Sequence, residues 1–221
     1  MRRIAFSLAL AALAVGNAFA SPTNPVNGAE YRTLPQAMPT QKVEGKVEVI
    51  EFFMYHCPAC YAVEAPMVAW AKKNADKVNF RRIHLSSGEM SDYEAHLWVT
   101  LEAMQLEEAL HDKVLQAWHQ EHRRLRSDEE NLNWALRNGI DKEKFLTAYN
   151  SFGVAARLRS LVRTAQNYGV TGTPTIIVNG KYVTEPAVVA QTNPNLPREE
   201  VIPASFQVLD ALVARSRQSA P

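Results

Sequence analysis

The chain has 221 residues, of which 47% are hydrophobic and 21% charged; this supplies a packed core and excludes disorder as the whole answer. Its 24 basic and 23 acidic residues leave a formal charge of +1, which gives no electrostatic footprint for nucleic acid. Two cysteines are too few for a disulfide-rich scaffold or a four-cysteine zinc site.

The chain opens with a basic pair, Arg2 and Arg3, then an apolar stretch over 4–15 and Ala18-Phe19-Ala20. This is the pattern of a secretory signal peptide cleaved after Ala20. The stretch is shorter than the ~20 apolar residues needed to span a bilayer. Cleavage removes two arginines and no acid, so the charge moves from +1 to −1. An exported, soluble protein is expected, in a compartment where disulfides persist. The bacterial periplasm is the expected place.

Residues 21–45 are rich in Pro, Asn and Thr and read as an extended lead-in. Residues 47–53 (VEVIEFF) are β-branched and apolar and predict a buried strand. A helix follows from Pro58 to about Asn74, with Val63, Met67 and Trp70 on one face and a kink expected at Pro66. Residues 77–84 predict a second strand, and Ser86-Ser87-Gly88 ends this βαβ unit. From Asp92 to Gln166 the period changes to that of helices. Leu97, Trp98, Leu101 and Met104 form one stripe; Leu110, Val114 and Trp118 another; Leu132 and Leu136 continue it. Phe145, Tyr149 and Phe152 come next, then Leu158, Leu161, Val162 and Ala165. Strand signals return at 175–178, Asn179-Gly180 reads as a hairpin turn, and 181–184 as the returning strand. A Pro- and Asn-rich loop leads to a terminal amphipathic helix at 204–215. The order predicts an α/β domain from 21–88 and 167–221 with an inserted helical domain at 89–166.

Cys57-Pro58-Ala59-Cys60 lies where the first strand hands over to a helix. Two intervening residues allow a disulfide within one helical turn. At the helix start the Cys57 sulfur meets unpaired N–H groups and the positive end of the dipole. Pro58 fits the first helical position, where a missing N–H costs nothing. Cys60, one turn in, is expected to be the more buried thiol, so thiolate is favoured on Cys57. A free cysteine of pKa about 8.5 is only about 3% thiolate at pH 7. Lowering that pKa by roughly 3–4 units would stabilise the reduced form by ~4–5.5 kcal/mol once the thiolate is fully developed, on the order of 100 mV in potential. A protein so biased gives its disulfide away. A structural disulfide is the weaker reading, since so short a loop removes little chain entropy. A zinc site would need two more ligands, and only His56 and His84 stand near.

Taken together, EFFMYHCPACYAVE (51–64), GVTGTPTIIVNGKYVT (169–184) and the helical block between them resemble the DsbA-type periplasmic thiol:disulfide oxidoreductases. The resemblance covers nearly the whole mature chain. It implies a thioredoxin-like fold with a helical insertion, and a cis Pro174 lying against a redox-active Cys57–Cys60 disulfide with no other cofactor. It also implies re-oxidation by a DsbB-type membrane quinone reductase and an apolar groove for unfolded clients. The family's best-known active site carries histidine where this chain has Ala59, so a weaker oxidant is expected, still on the oxidising side of thioredoxin. Thr173, before Pro174, offers a hydroxyl within possible reach of the Cys57 sulfur.

Glu51 sits inside the first strand, where a buried carboxylate is costly unless paired. Arg82 is its candidate partner, and a strand-edge acid in water is the alternative. By resemblance, Glu51 lies beneath the active site and helps move the Cys60 proton, and Glu64 fills the family's other acidic position; a solvated helix acid is the alternative there. His56 stabilises thiolate if protonated, or is simply exposed. His119, His122 and the run Arg123, Arg124, Arg126 read as solvated surface. Two functions follow: a monomeric dithiol oxidase acting on reduced exported proteins, with Cys57 as nucleophile, Cys60 as resolving thiol and Thr173 and Pro174 framing the substrate side; or a chaperone-like binder or isomerase of unfolded chains.

Overall fold

The computed structural model describes residues 21–218; the signal-peptide reading of 1–20 lies outside them. A five-stranded sheet is built from β1 (Arg32–Thr33), β2 (Val47–Phe53), β3 (Val78–His84), β4 (Thr175–Val178) and β5 (Tyr182–Thr184). Its order is β1-β5-β4-β2-β3. β2 pairs parallel with β3 and antiparallel with β4, while β5 pairs antiparallel with both β4 and β1.

The strand β2 sits inside the sheet, and all seven of its residues are buried. That explains its near-continuous apolar sequence, because a strand covered on both faces loses the polar alternation of a half-exposed one. Val47 and Val49 pack with Val63, Met67 and Trp70 of α1 (Pro58–Lys73). The same cluster holds Val208, Leu209 and Leu212 of α8 (Val201–Gln218). Ile50 and Phe52 belong to a larger second cluster, with Leu97 and Trp98 of α2 (Tyr93–Ala103) and Leu158 and Leu161 of α6 (Phe152–Tyr168).

Between α2 and α6 lie α3 (Glu107–His119), α4 (Asp128–Arg137) and α5 (Lys142–Tyr149). Asp92, Ser127, Asp141 and Ser151 each accept a backbone N–H at the start of a helix, the usual role of short polar side chains there. The α6 helix ends on Gly169, whose φ of +60° is the left-handed conformation that glycine adopts freely. At the β4–β5 turn Asn179 and Gly180 both have positive φ, and a side chain at Gly180 would run into the Met38 carbonyl.

Several local expectations change. Pro186–Thr192 forms a short helix, α7, inside the expected loop; seven residues are too few for a period to show. Phe152 is 83% exposed and Leu136 is exposed, so neither belongs to the core stripe drawn through it; α4 buries Asn131, Trp134 and Ala135 instead. Among the described residues no helix is long and apolar enough to cross a membrane.

Leu158 is fully buried where α6 meets the sheet. Leu158→Ala is expected to lower the unfolding free energy by about 2–5 kcal/mol, read from urea denaturation; a loss under about 1 kcal/mol would contradict this packing.

Candidate functional site

The backbone leaves β2 through Met54, Tyr55 and His56 and enters α1 at Cys57, which is the N-cap, with φ −77° and ψ 114°. Pro58 occupies the first helical position and leaves the N–H of Cys60 free to donate to Cys57 Sγ at 3.4 Å. No acidic residue lies in the first turn of α1 to compete for its positive end. Both cysteines are free thiols and approach to 3.2 Å. Cys57 is 9% exposed and Cys60 2%; Ala59, between them, is exposed.

Opposite Cys57 lies the loop before β4. The Thr173–Pro174 peptide bond is cis, and the Cys57 thiol faces the Thr173 carbonyl at 3.5 Å. The Thr173 hydroxyl is buried without a hydrogen-bond partner. These contacts treat the two sulfurs in opposite ways. Hydrogen bonding from the Cys60 thiol lowers the Cys57 pKa to about 5, with help from the Cys60 and Ala59 backbone and against the effect of burial. The same thiol–thiol hydrogen bond, reinforced by burial, pushes Cys60 far up.

A chain of buried charges starts at Glu51, which lies near enough to Cys57 to feel its charge. Register places Glu51 of β2 beside Arg82 of β3. Glu51 is fully buried, with Arg82 Nε 3.7 Å away, too far for a hydrogen bond, and neither of its oxygens has a partner. Burial therefore raises its pKa to about 7. Arg82 instead donates to Glu64 of α1 at 2.6 Å. Glu64 is buried too and meets His111 of α3 at 3.4 Å, and His111 meets Glu107 at 3.0 Å. Burial pushes Glu64 up, but His111 and Arg82 outweigh it and hold its pKa low. Burial pushes His111 down, and its two carboxylate partners reverse that. A cavity of about 1100 Å³ between α1, β3 and α3 is lined by Glu64, Arg82 and His111 at its polar end.

The structure thus places Glu51 and Glu64 together through Arg82 in the interior, not in water. Sequence reasoning did not single out His111; its one signal was Glu107 and His111 one helical turn apart. His56 precedes Cys57 in the chain, and its side chain meets Glu94 of α2. Its ring Nδ1 is 2.9 Å from both carboxylate oxygens, and its backbone N–H donates to Oε2 at 2.9 Å. His119, expected on a solvated face, donates through Nε2 to the Tyr55 carbonyl at 2.8 Å and stacks on Tyr61 at 4.5 Å. His84 is buried, donates to the Leu85 carbonyl and accepts the Tyr55 N–H at 3.4 Å. Among the described residues no group of three or more His, Cys, Asp or Glu side chains is placed to hold a metal ion.

Two buried thiols at a helix start, facing a cis-proline loop, form a dithiol–disulfide centre. Known proteins agree. Residues 79–196 match the family described as "DSBA-like thioredoxin domain". The chain is 37% identical over 182 residues to the thiol:disulfide interchange protein DsbA of Pseudomonas aeruginosa, covering 82% of this chain and 86% of that one. It is 34% identical over 214 residues to the DsbA of Burkholderia cepacia, covering 96% of each. The crystal structure of Pseudomonas aeruginosa DsbA superposes with a TM-score of 0.74 at 34% identity, covering 87% of this chain and 94% of that one. With its cysteine pair in this geometry and its whole fold shared with these relatives, the chain belongs to the DsbA family of thiol:disulfide interchange proteins.

Proposed function

We propose that this thiol:disulfide oxidoreductase works as a dithiol oxidase of the periplasm, donating a Cys57–Cys60 disulfide to newly exported proteins. A client thiolate attacks Cys57 Sγ, forming a mixed disulfide and releasing Cys60 as a thiolate that takes up a proton. A second client thiolate attacks the client sulfur of that bond. The client leaves oxidised, and Cys57 departs as a stabilised thiolate. A leaving thiol of low pKa departs faster, which favours this second step, in which Cys57 is the leaving group. Thr173 and Pro174 flank the client, and Glu51, with Glu64 behind it, exchanges the Cys60 proton.

The observation that carries this reading is the unequal treatment of the two thiols. The magnitude follows from linkage. Cys57 falls from an ordinary 9.0 to about 5, so the gain in the reduced form grows by about 1.4 kcal/mol per pH unit above pH 5. At pH 7 it reaches roughly 2.7 kcal/mol, about 60 mV for the two-electron couple. That drives electrons into the protein and the disulfide out to the client.

The same reading takes residues 1–20 as a signal peptide, 21–88 with 167–221 as a thioredoxin-like domain, and 89–166 as an inserted helical domain. The protein acts as a monomer on unfolded or reduced exported proteins. A DsbB-type membrane quinone reductase restores its disulfide, and no further cofactor takes part. The basic start, apolar stretch and Ala18-Phe19-Ala20 support export.

Unfolding in urea tests the direction of transfer. The dithiol form is expected to resist urea better than the disulfide form at pH 7–8, with the advantage shrinking as pH falls through about 5; the reverse order overturns the oxidase reading. Ala59→His adds a donor and a cation beside Cys57, and is expected to move the equilibrium with glutathione further toward the dithiol; an unchanged equilibrium would remove Ala59 as the reason for a moderate potential. Glu51→Gln reports the buried acid. Glu51 titrates at about 7 in the fold, so its ionisation opposes folding increasingly from about pH 4.5 to 7 and not below. The variant is expected to be on the order of 1–3 kcal/mol more stable than the parent at pH 8 and little different at pH 4. Equal effects at both pH values would mean that Glu51 is not held protonated.

A further inference from the structure

His56 and Glu94 form a contact that disulfide exchange, as described above, does not use. Glu94 stands in the first turn of α2, yet Asp92 caps that helix, so the Glu94 carboxylate is free of that duty. It turns to the active-site loop, where it accepts the His56 backbone N–H and faces the His56 ring with both oxygens, all at 2.9 Å. The ring is 44% exposed and the carboxylate 11%. His56 is covalently next to Cys57, so this pair is tied to the residue that carries the reactive sulfur.

The surrounding charges leave the pair to itself. His84 of β3 has its Nε2 4.0 Å from Glu94. That nitrogen accepts the Tyr55 N–H while Nδ1 donates to Leu85, and burial lowers the His84 pKa to about 4, so it brings no positive charge near neutrality. Asp92, beside Glu94, adds negative charge. Arg126, from the α3–α4 connection, lines a small cavity with Glu94 but lies over the Trp118 ring, 5.4 Å from its centroid.

We propose that Glu94 is a positioning residue that restrains the oxidising strength of the Cys57–Cys60 pair, by holding His56 under a compensating negative charge beside Cys57. If the His56 ring is protonated, the pair is neutral overall and its cation does little for a thiolate. If the ring is neutral, Glu94 leaves net negative charge next to Cys57. In neither state does the histidine give the thiolate a net positive neighbour. The inference rests on the oxidase reading above, in which thiolate on Cys57 sets the direction of transfer.

Glu94→Gln keeps an acceptor for the His56 N–H and removes the charge. His56→Gln removes the titratable ring and keeps the carboxylate. The pH midpoint of Cys57 alkylation by iodoacetamide and the equilibrium with glutathione are measured for both variants and the parent. Glu94→Gln is expected to lower the midpoint and shift the equilibrium about three- to tenfold toward the dithiol, as for one charge removed at close range. His56→Gln, which leaves the Glu94 charge in place, is expected to move neither toward the dithiol side. A loosened loop would move both variants in one direction, so shifts of the same sign overturn the inference, as does a midpoint that Glu94→Gln leaves in place or raises. An alkaline midpoint in the parent would overturn the oxidase reading itself and this inference with it.

Discussion

The site depends on a hydrogen bond between two thiols at the start of a helix. Alone, each cysteine is an ordinary thiol, mostly protonated at neutral pH. Placed 3.2 Å apart, one must donate and the other accept. The fold decides which: Cys57 is the N-cap and receives a backbone N–H, while Cys60 is deeper and less able to hold charge. The sheet supplies the remaining precision. The β2–β4 register pairs Phe52 with Thr175. The residues before β4 therefore lie across from those after β2, and the Thr173 carbonyl reaches the Cys57 sulfur although 116 positions separate them.

Charge counting explains the odd state of Glu51. Glu51, Glu64 and Glu107 are the carboxylates of the buried chain, and Arg82 and His111 its basic groups. With both basic groups charged, two carboxylates can be balanced and the third cannot. Glu64 and Glu107 hold the close contacts, at 2.6 Å and 3.0 Å, and both keep low pKa values. Glu51 holds none within hydrogen-bond reach and is the one burial drives toward protonation. A value near 7 leaves the Glu51 carboxyl able to gain and lose a proton at neutral pH, the property that the proposed reaction uses.

Much of this was legible in the sequence because it is local. The strand 47–53, the Cys57-Pro58-Ala59-Cys60 turn and the Asn179-Gly180 hairpin each rest on residues a few positions apart. The βαβ order also announced that Glu51 and Arg82 share a sheet. What the sequence hid are contacts made by folding: His56 with Glu94 across 38 positions and His119 with Tyr55 across 64. Polarity misled at His119 and His111, which read as surface or passed unremarked, because a histidine with partners can be buried as readily as an apolar residue. Apolarity misled at Phe152, which matches the helical stripe yet faces solvent.

These hidden contacts share one origin. Glu94 comes from α2, and His111 and His119 come from α3, within the run of helices between β3 and β4. Each reaches a different part of the cysteine centre: Glu94 the His56 that precedes Cys57, His119 the carbonyl of Tyr55, and His111 the Glu64 that follows Cys60 by one turn. The strand and helix that carry the cysteines set up the charge asymmetry by placing one thiol to donate to the other at a helix start. The helices packed over them add contacts of another kind, each placing a carboxylate or an imidazole against a residue covalently or electrostatically tied to a sulfur. Changes in the first or second of these helices should therefore retune the centre without touching either cysteine, whereas α4 and α5, whose side chains make none of these contacts, bear on it through packing.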